Sequence, residues 1–203
     1  MKAKKIISMF ALTTFLVSLG VADLHGTSVL KRNLSELTAL AELIIVGKVV
    51  SVTDGLAGNF PYTEVTIEVS QSIKGTVSGT YTFRQFGLLK PRDMGNGLTN
   101  LNVTPDDWAR YQEGQECMLF LYDAAPLTGV RTTVGLNQGA FAITNNSIVN
   151  GVDNLDLFEN VPVYSEQLTD GEERMLRSKK GALDAQTFIS FVDKAVRRGW
   201  FNQ

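Results

Sequence analysis

Cys117 and His25 are the only thiol and the only imidazole in the chain. Most catalytic or metal chemistry would therefore run through one residue of each type, or through carboxylates. A single cysteine excludes a disulfide within the chain and any multi-cysteine metal site. Cys117 lies in the run GQECMLFLY (114–122), in strand phase with Leu119 and Leu121. That phase places it in the core, where a thiol lacks the exposure and positive neighbourhood a nucleophile needs. Glu64, Glu68 and Ser70 alternate with Val65, Ile67 and Val69 in YTEVTIEVSQSIKG (62–75), so they share the polar face of a strand. Two carboxylates on one face are the raw material of glycoside hydrolysis, and solvated strand positions are the plainer reading. Asp106 and Asp107 follow Thr104 and Pro105 in TPDDW. This reads as a helix start running to about Tyr111, with Thr104 as cap, Pro105 in the first turn and the acids at the positive end. The aromatics Phe60, Tyr62, Tyr81, Phe83 and Phe86 read as strand packing. There is no G-x-S-x-G elbow, phosphate-binding loop or dinucleotide fingerprint. Neither a catalytic residue nor a cofactor is expected.

The position of His25 depends on a leader. Lys2, Lys4 and Lys5 precede an uncharged apolar stretch over 6–21, and Gly20 and Ala22 stand where a signal peptidase expects small residues. Residues 1–22 read as a signal peptide cleaved between Ala22 and Asp23. The apolar run is shorter than the roughly 20 residues of a spanning helix, and no cysteine follows it to carry a lipid. The lysine-rich start points to a bacterial exported protein, periplasmic or secreted, with no membrane span after cleavage. A mature chain starting Asp23-Leu24-His25 offers a terminal amine, two peptide nitrogens and an imidazole, a planar set that suits Cu(II) or Ni(II). The full chain carries 19 basic and 21 acidic side chains. Losing the three leader lysines brings its net charge from −2 to −5, which excludes the basic footprint of a nucleic-acid binder.

These residues need a scaffold, and its pattern is mainly β (α+β). Leu37, Leu40 and Ala41 recur at helical spacing over 35–42, with Asn33 or Ser35 able to cap. Strands are predicted at 43–52, 62–75, 80–86, 114–122, 130–135 and 138–144. A short return at 147–150 follows a tight turn at Asn145-Asn146. The glycines and proline of 54–61 read as a turn. Residues 87–103 form a long Gly/Asn-rich loop, and loops of that length are usually functional or disordered. Residues 151–183 read as an extended arm, and Asp184 caps an amphipathic helix over 184–199 with Phe188, Ile189, Phe191, Val192, Ala195 and Val196 as its stripe. The expected organisation is one domain over 23–203 with a core at 41–150. The expected architecture is a small antiparallel OB-like β-barrel of about six or seven strands, with an open β-sandwich as the alternative.

The order AELIIVGKVVSV, YTEVTIEVSQSIKG, TYTFRQFG, GQECMLFLY resembles the OB-like barrels of the netrin and tissue metalloprotease inhibitor superfamily. It is similar in particular to secreted bacterial proteins of that shape that carry a segment like VGLNQGAFAI (134–143). The likeness spans about 41–144 and implies the fold. The inhibitors' mechanism, an N-terminal cysteine presented to zinc, finds no counterpart in a chain starting at Asp23. The function that fits is a non-enzymatic exported binding module whose partner is an extracytoplasmic protein or an envelope polymer. Its expected surfaces are the 87–103 loop, with Arg92, Asp93, Asn96 and Asn100, and the 151–183 arm, since loops carry recognition on a rigid scaffold. A small-molecule or lipid carrier using the barrel interior and a carboxylate hydrolase are the alternatives.

Overall fold

The computed structural model describes residues 30–201. Ala22, Asp23 and His25, and with them the leader and the copper-site expectation, lie outside those residues. The elements in chain order are α1 (Leu34–Leu40), β1 (Leu43–Ala57), β2 (Phe60–Lys74), β3 (Gly79–Phe86), β4 (Arg92–Asp93), β5 (Thr99–Asn100), β6 (Glu116–Leu121), β7 (Ala140–Thr144), β8 (Ser147–Asn150), α2 (Asp170–Leu176), β9 (Leu183–Asp184) and α3 (Ala185–Arg197). The fold is mainly antiparallel β. Seven strands form one sheet in the order β3-β2-β1-β6-β7-β8-β9, and β4 and β5 form a separate ribbon.

The long β1–β2 hairpin organises the sheet. The turn expected at 54–61 shrinks to Gly58-Asn59, because Ala57 pairs with Phe60, Leu56 with Pro61 and Gly55 with Tyr62. Gly55 faces Tyr62 across the hairpin, where a Cβ would meet the far end of the Tyr62 side chain, 2.5 Å from its hydroxyl. Register shifts at Ile44/Ile45, Val46/Gly47 and Val49/Ser51 break β1 into bent pieces, and bulges of this kind sharpen strand twist and curl. At Gly47 a Cβ would come within 2.3 Å of the Glu68 carbonyl oxygen. The curl lets β1 pair with β2 along its length while its first half also pairs with β6.

β6 is buried on both sides. Cys117, Leu119 and Leu121 enter a core with Leu43, Ile45, Val49, Val65, Ile67 and Phe83. Met118 and Phe120 enter a second core with Ile44, Phe141 and Ile148, closed by Leu34 and Leu37 of α1 and by Phe188, Phe191 and Val192 of α3. That double burial is why ECMLFL reads as a continuous apolar run rather than an alternation. α3 starts where expected: the Asp184 carboxylate accepts the Thr187 amide at 2.8 Å, and this cap holds the Asp184 carboxyl below its usual range. The Asn145-Asn146 turn also stands, with φ of 50° and 60°.

Three expectations are corrected. Residues 130–135 form no regular strand; they make single bridges, Val130 beside Arg84 and Thr133 beside Leu121. No helix follows TPDDW. The Thr104 hydroxyl is turned to the carbonyls of Phe86 and Leu88 instead of capping, and Ala109 and Tyr111 are both buried, a spacing of two that an extended backbone satisfies and a helix does not. Finally, the 151–183 segment is not an extended arm throughout. It contains α2, opened by a capping box in which Thr169 and Glu172 exchange hydrogen bonds.

Candidate recognition surface

Several of the residues that chemistry would use are tied into the structure. Cys117 is buried, and burial pushes its thiol up to about 12, so almost no thiolate exists near neutrality. Tyr111 stands beside it with its ring edge-on to Phe83 and its hydroxyl buried near Thr133. Burial raises its pKa far above the phenol range. Glu64 is taken by Arg84 at 2.7 Å, and the Arg84 guanidinium also lies over the Tyr62 ring. Glu68 faces Lys48 across β1–β2, with Glu116 on the far side of Lys48, and the three line a surface cavity of about 340 Å³ with Ser70. Both carboxylates are exposed to solvent. Asp106 pairs with Arg110 at 2.6 Å.

Space for an internal ligand is small. The interior bounded by β1, β2, β3 and β6 is filled by the aliphatic core with Phe83. The cavities beside it, one against Cys117, Ala142 and Val149 and one against Thr63, Gln85 and Thr104, measure about 200 and 180 Å³. Small-molecule pockets usually occupy roughly 300–1,000 Å³. No described helix is long and apolar enough to cross a membrane.

The 87–103 loop behaves differently. Its neck is pinched shut. The Gly87 amide donates to Pro61 O at 3.1 Å, and the Thr63 hydroxyl donates to Gly87 O at 2.7 Å. Leu88 N donates to Asn102 O, and Thr104 N donates to Leu88 O, both at 2.9 Å. Gly87 has φ of 100°, and a Cβ there would lie 2.4 Å from the Thr104 nitrogen, so glycine is required on both counts. Leu88 is fully buried at this neck. Beyond it, β4 and β5 pair as Arg92 with Asn100 and Asp93 with Thr99.

The polar side chains singled out from sequence all lie in this loop, and they shape it. Arg92 donates to the Asp54 carboxylate at 2.5 Å. Asp93 accepts the Gly95 amide at 2.9 Å, Asn96 accepts the Leu98 amide at 3.1 Å, and Asn100 accepts from the Asn102 backbone and side chain at 3.0 Å. These are turns in which a side chain replaces a backbone acceptor. Alongside exposed Lys90, Asp93, Asn96, Thr99 and Asn102, the loop leaves four large apolar side chains in water: Leu101 at 71% exposure, Leu98 at 65%, Leu89 at 49% and Met94 at 41%. Sequence reasoning passed over these four, although four large apolar residues with neither helical nor strand period are themselves a signal. Half-buried aromatics border the loop, with Phe60 and Phe86 at 5.6 Å and Phe86 and Trp108 at 6.3 Å between ring centres.

The 151–183 segment is anchored from within. Asn150 and Asn154 are buried, and the Asn150 carboxamide oxygen accepts the Val152 and Asn154 amides. The Asn154 carboxamide donates to Ile148 O and Gly181 O and accepts the Asn150 amide. Asp153, Asn154, Asp156 and Asn160 all have positive φ between 52° and 58°, a conformation that Asn and Asp tolerate better than other side chains. Leu157 is buried and Phe158 packs on Phe188 at 6.4 Å. Glu172 meets Lys194 of α3 at 2.6 Å with both side chains largely covered. Burial alone would raise the Glu172 carboxyl, but the bonds from Lys194 and Thr169 outweigh it and hold the group below its usual range.

No protein-family profile, no curated protein and no solved structure matches the chain.

Proposed function

We propose that this protein is an exported, non-enzymatic binding module in which an OB-like barrel presents the 87–103 loop to an extracytoplasmic protein or an envelope polymer. One observation carries the reading. Asp93, Asn96 and Asn100 shape the loop's turns, and Leu89, Met94, Leu98 and Leu101 stand together in solvent on it. Large apolar side chains gathered on a shaped loop mark interaction sites. The neighbouring aromatic ladder supplies the rigid side chains that dominate interface energetics.

The barrel has its own support. Arg131 N donates to Arg84 O of β3 at 2.7 Å, and the bridge between Arg84 and Val130 is parallel. On its other side the same segment meets β6, with Tyr122 N to Thr132 O at 2.9 Å and Val134 N to Phe120 O at 2.8 Å. Contacts of residues 130–134 with both β3 and β6 support reading the fold as a circuit β1-β2-β3-(130–134)-β6-β1, the kind a five-stranded OB barrel uses. Export rests on the expected 1–22 leader, with its lysines, apolar run and small residues at the cleavage position.

The test is capture from a periplasmic and culture-medium extract with the mature chain as bait. Replacing Leu98 and Leu101 together by Asp should reduce the captured partner at least tenfold, with the circular dichroism spectrum unchanged. An undiminished partner would overturn the reading.

A further inference from the structure

We infer that Asp54 is the positioning residue of this surface: its carboxylate clasps the 87–103 loop to the β1–β2 hairpin and sets the pose in which the leucines are presented. The inference rests on the recognition reading above. Asp54 stands opposite Thr63 near the hairpin end. One carboxylate oxygen accepts Arg92 Nη2 at 2.5 Å, the other accepts the Leu89 amide at 2.8 Å, and the Asp54 carbonyl takes a second contact from Arg92 at 3.3 Å. The Asp54 side chain is 16% exposed and that of Arg92 37%.

The geometry assigns different jobs to the two ends of the loop. The Gly87, Leu88 and Thr104 bonds close the neck, whereas Asp54 grips residues 89 and 92, just where the chain enters the β4–β5 ribbon. Two strands of two residues each do not hold themselves in water. A charge-assisted bond from Arg92 is about twice as strong as a neutral one, and it reaches the ribbon at its first residue. Arg92 and Asn100 are direct partners across the ribbon, so fixing Arg92 also fixes the strand that carries Leu98 and Leu101 at its two ends. Preorganisation of this kind removes ordering cost from the binding step.

Hydrogen exchange on the mature chain tests this without any partner. The Met94 amide, which donates to Leu98 O at 3.0 Å across the ribbon tip, reports the ribbon. Asp54→Ala should speed its exchange at least tenfold while the amides of β6 keep the wild-type rates. Asp54→Asn, which can still accept but carries no charge, should fall between. Arg92→Ala removes the same bond from the loop side and should reproduce the acceleration should Asp54→Ala fail to fold. Unchanged Met94 exchange in the folded variants overturns the clasp. Because the readout needs no partner, that failure is distinct from a failure of the capture experiment with the Leu98 and Leu101 variant. Once a partner is captured, an Asp54→Ala protein that binds it as the wild type does would also overturn the inference.

Discussion

The 87–103 loop and the 151–183 segment use similar residues in opposite ways. Both leave the sheet through stretches rich in Gly, Asn and Asp, and both fold those residues into side-chain-supported turns. In the second, the carboxamides of Asn150 and Asn154 are buried and bind backbone, and Leu157 and Phe158 follow them into the core. In the first, Asn96 and Asn100 shape turns in water, and Leu98 and Leu101 stay outside. Composition alone therefore does not separate an excursion anchored in the core from one that leaves apolar side chains in water. The burial of the amide groups does, because a buried carboxamide must have its partners and so ties its segment down.

The comparison breaks first at Asn154. Asn154→Ala removes the side-chain partner of the Ile148 and Gly181 carbonyls and of the Asn150 amide, and it places a non-Asx residue at φ 52°. The expected loss is about 4 kcal/mol in urea unfolding. The exposed counterpart, Asn96→Ala, should cost no more than about 0.5 kcal/mol. Leu157→Ala should lose about 3 kcal/mol through its cavity, against roughly nothing for Leu98→Ala. A third contrast is electrostatic. Glu172→Gln should cost about 2 kcal/mol at neutral pH, less than breaking a fully buried pair because Lys194 keeps its bond to Gln167 O. The folded Glu172 carboxyl lies below its unfolded value, so its stabilisation is complete above about pH 5 and is lost as the pH falls through the folded value. Melting curves of the two proteins should accordingly converge on acidification; curves that stay parallel would contradict the pairing. The smallest effect sharpens the comparison. Cys117 is buried in the core with Leu119, Leu121 and Phe83, so thiol labelling in the native state should follow opening of the fold. Asn154→Ala should accelerate it, and the Leu98 and Leu101 double substitution should leave it at the wild-type rate.

What the sequence discloses depends on how local the cause is. β6 and β8, the Asn145-Asn146 turn and the Asp184 cap follow from contiguous patterns and are legible. The second half of β1 is not, because Gly55 and Pro61 read as turn residues until Tyr62 is placed across from Gly55. The helix signal in TPDDW is real and loses to the burial of Ala109 and Tyr111. α2 was legible, since Thr169 and Glu172 have capping-box spacing ahead of Met175 and Leu176. Within the candidate surface, the loop's length can be read from the chain, whereas the exposure of Leu89, Leu98 and Leu101 emerges only from the structure. Asp54 cannot, because it meets Leu89 from 35 residues away and is indistinguishable in sequence from any other turn acid.

The central claim is that recognition runs through the loop and not through the anchored segment. Hydrogen exchange of the mature chain, free and saturated with the captured partner, tests it most directly. The account predicts slowed exchange across residues 87–103 and wild-type rates across 151–183. Protection confined to 151–183, with the loop unchanged, would contradict it.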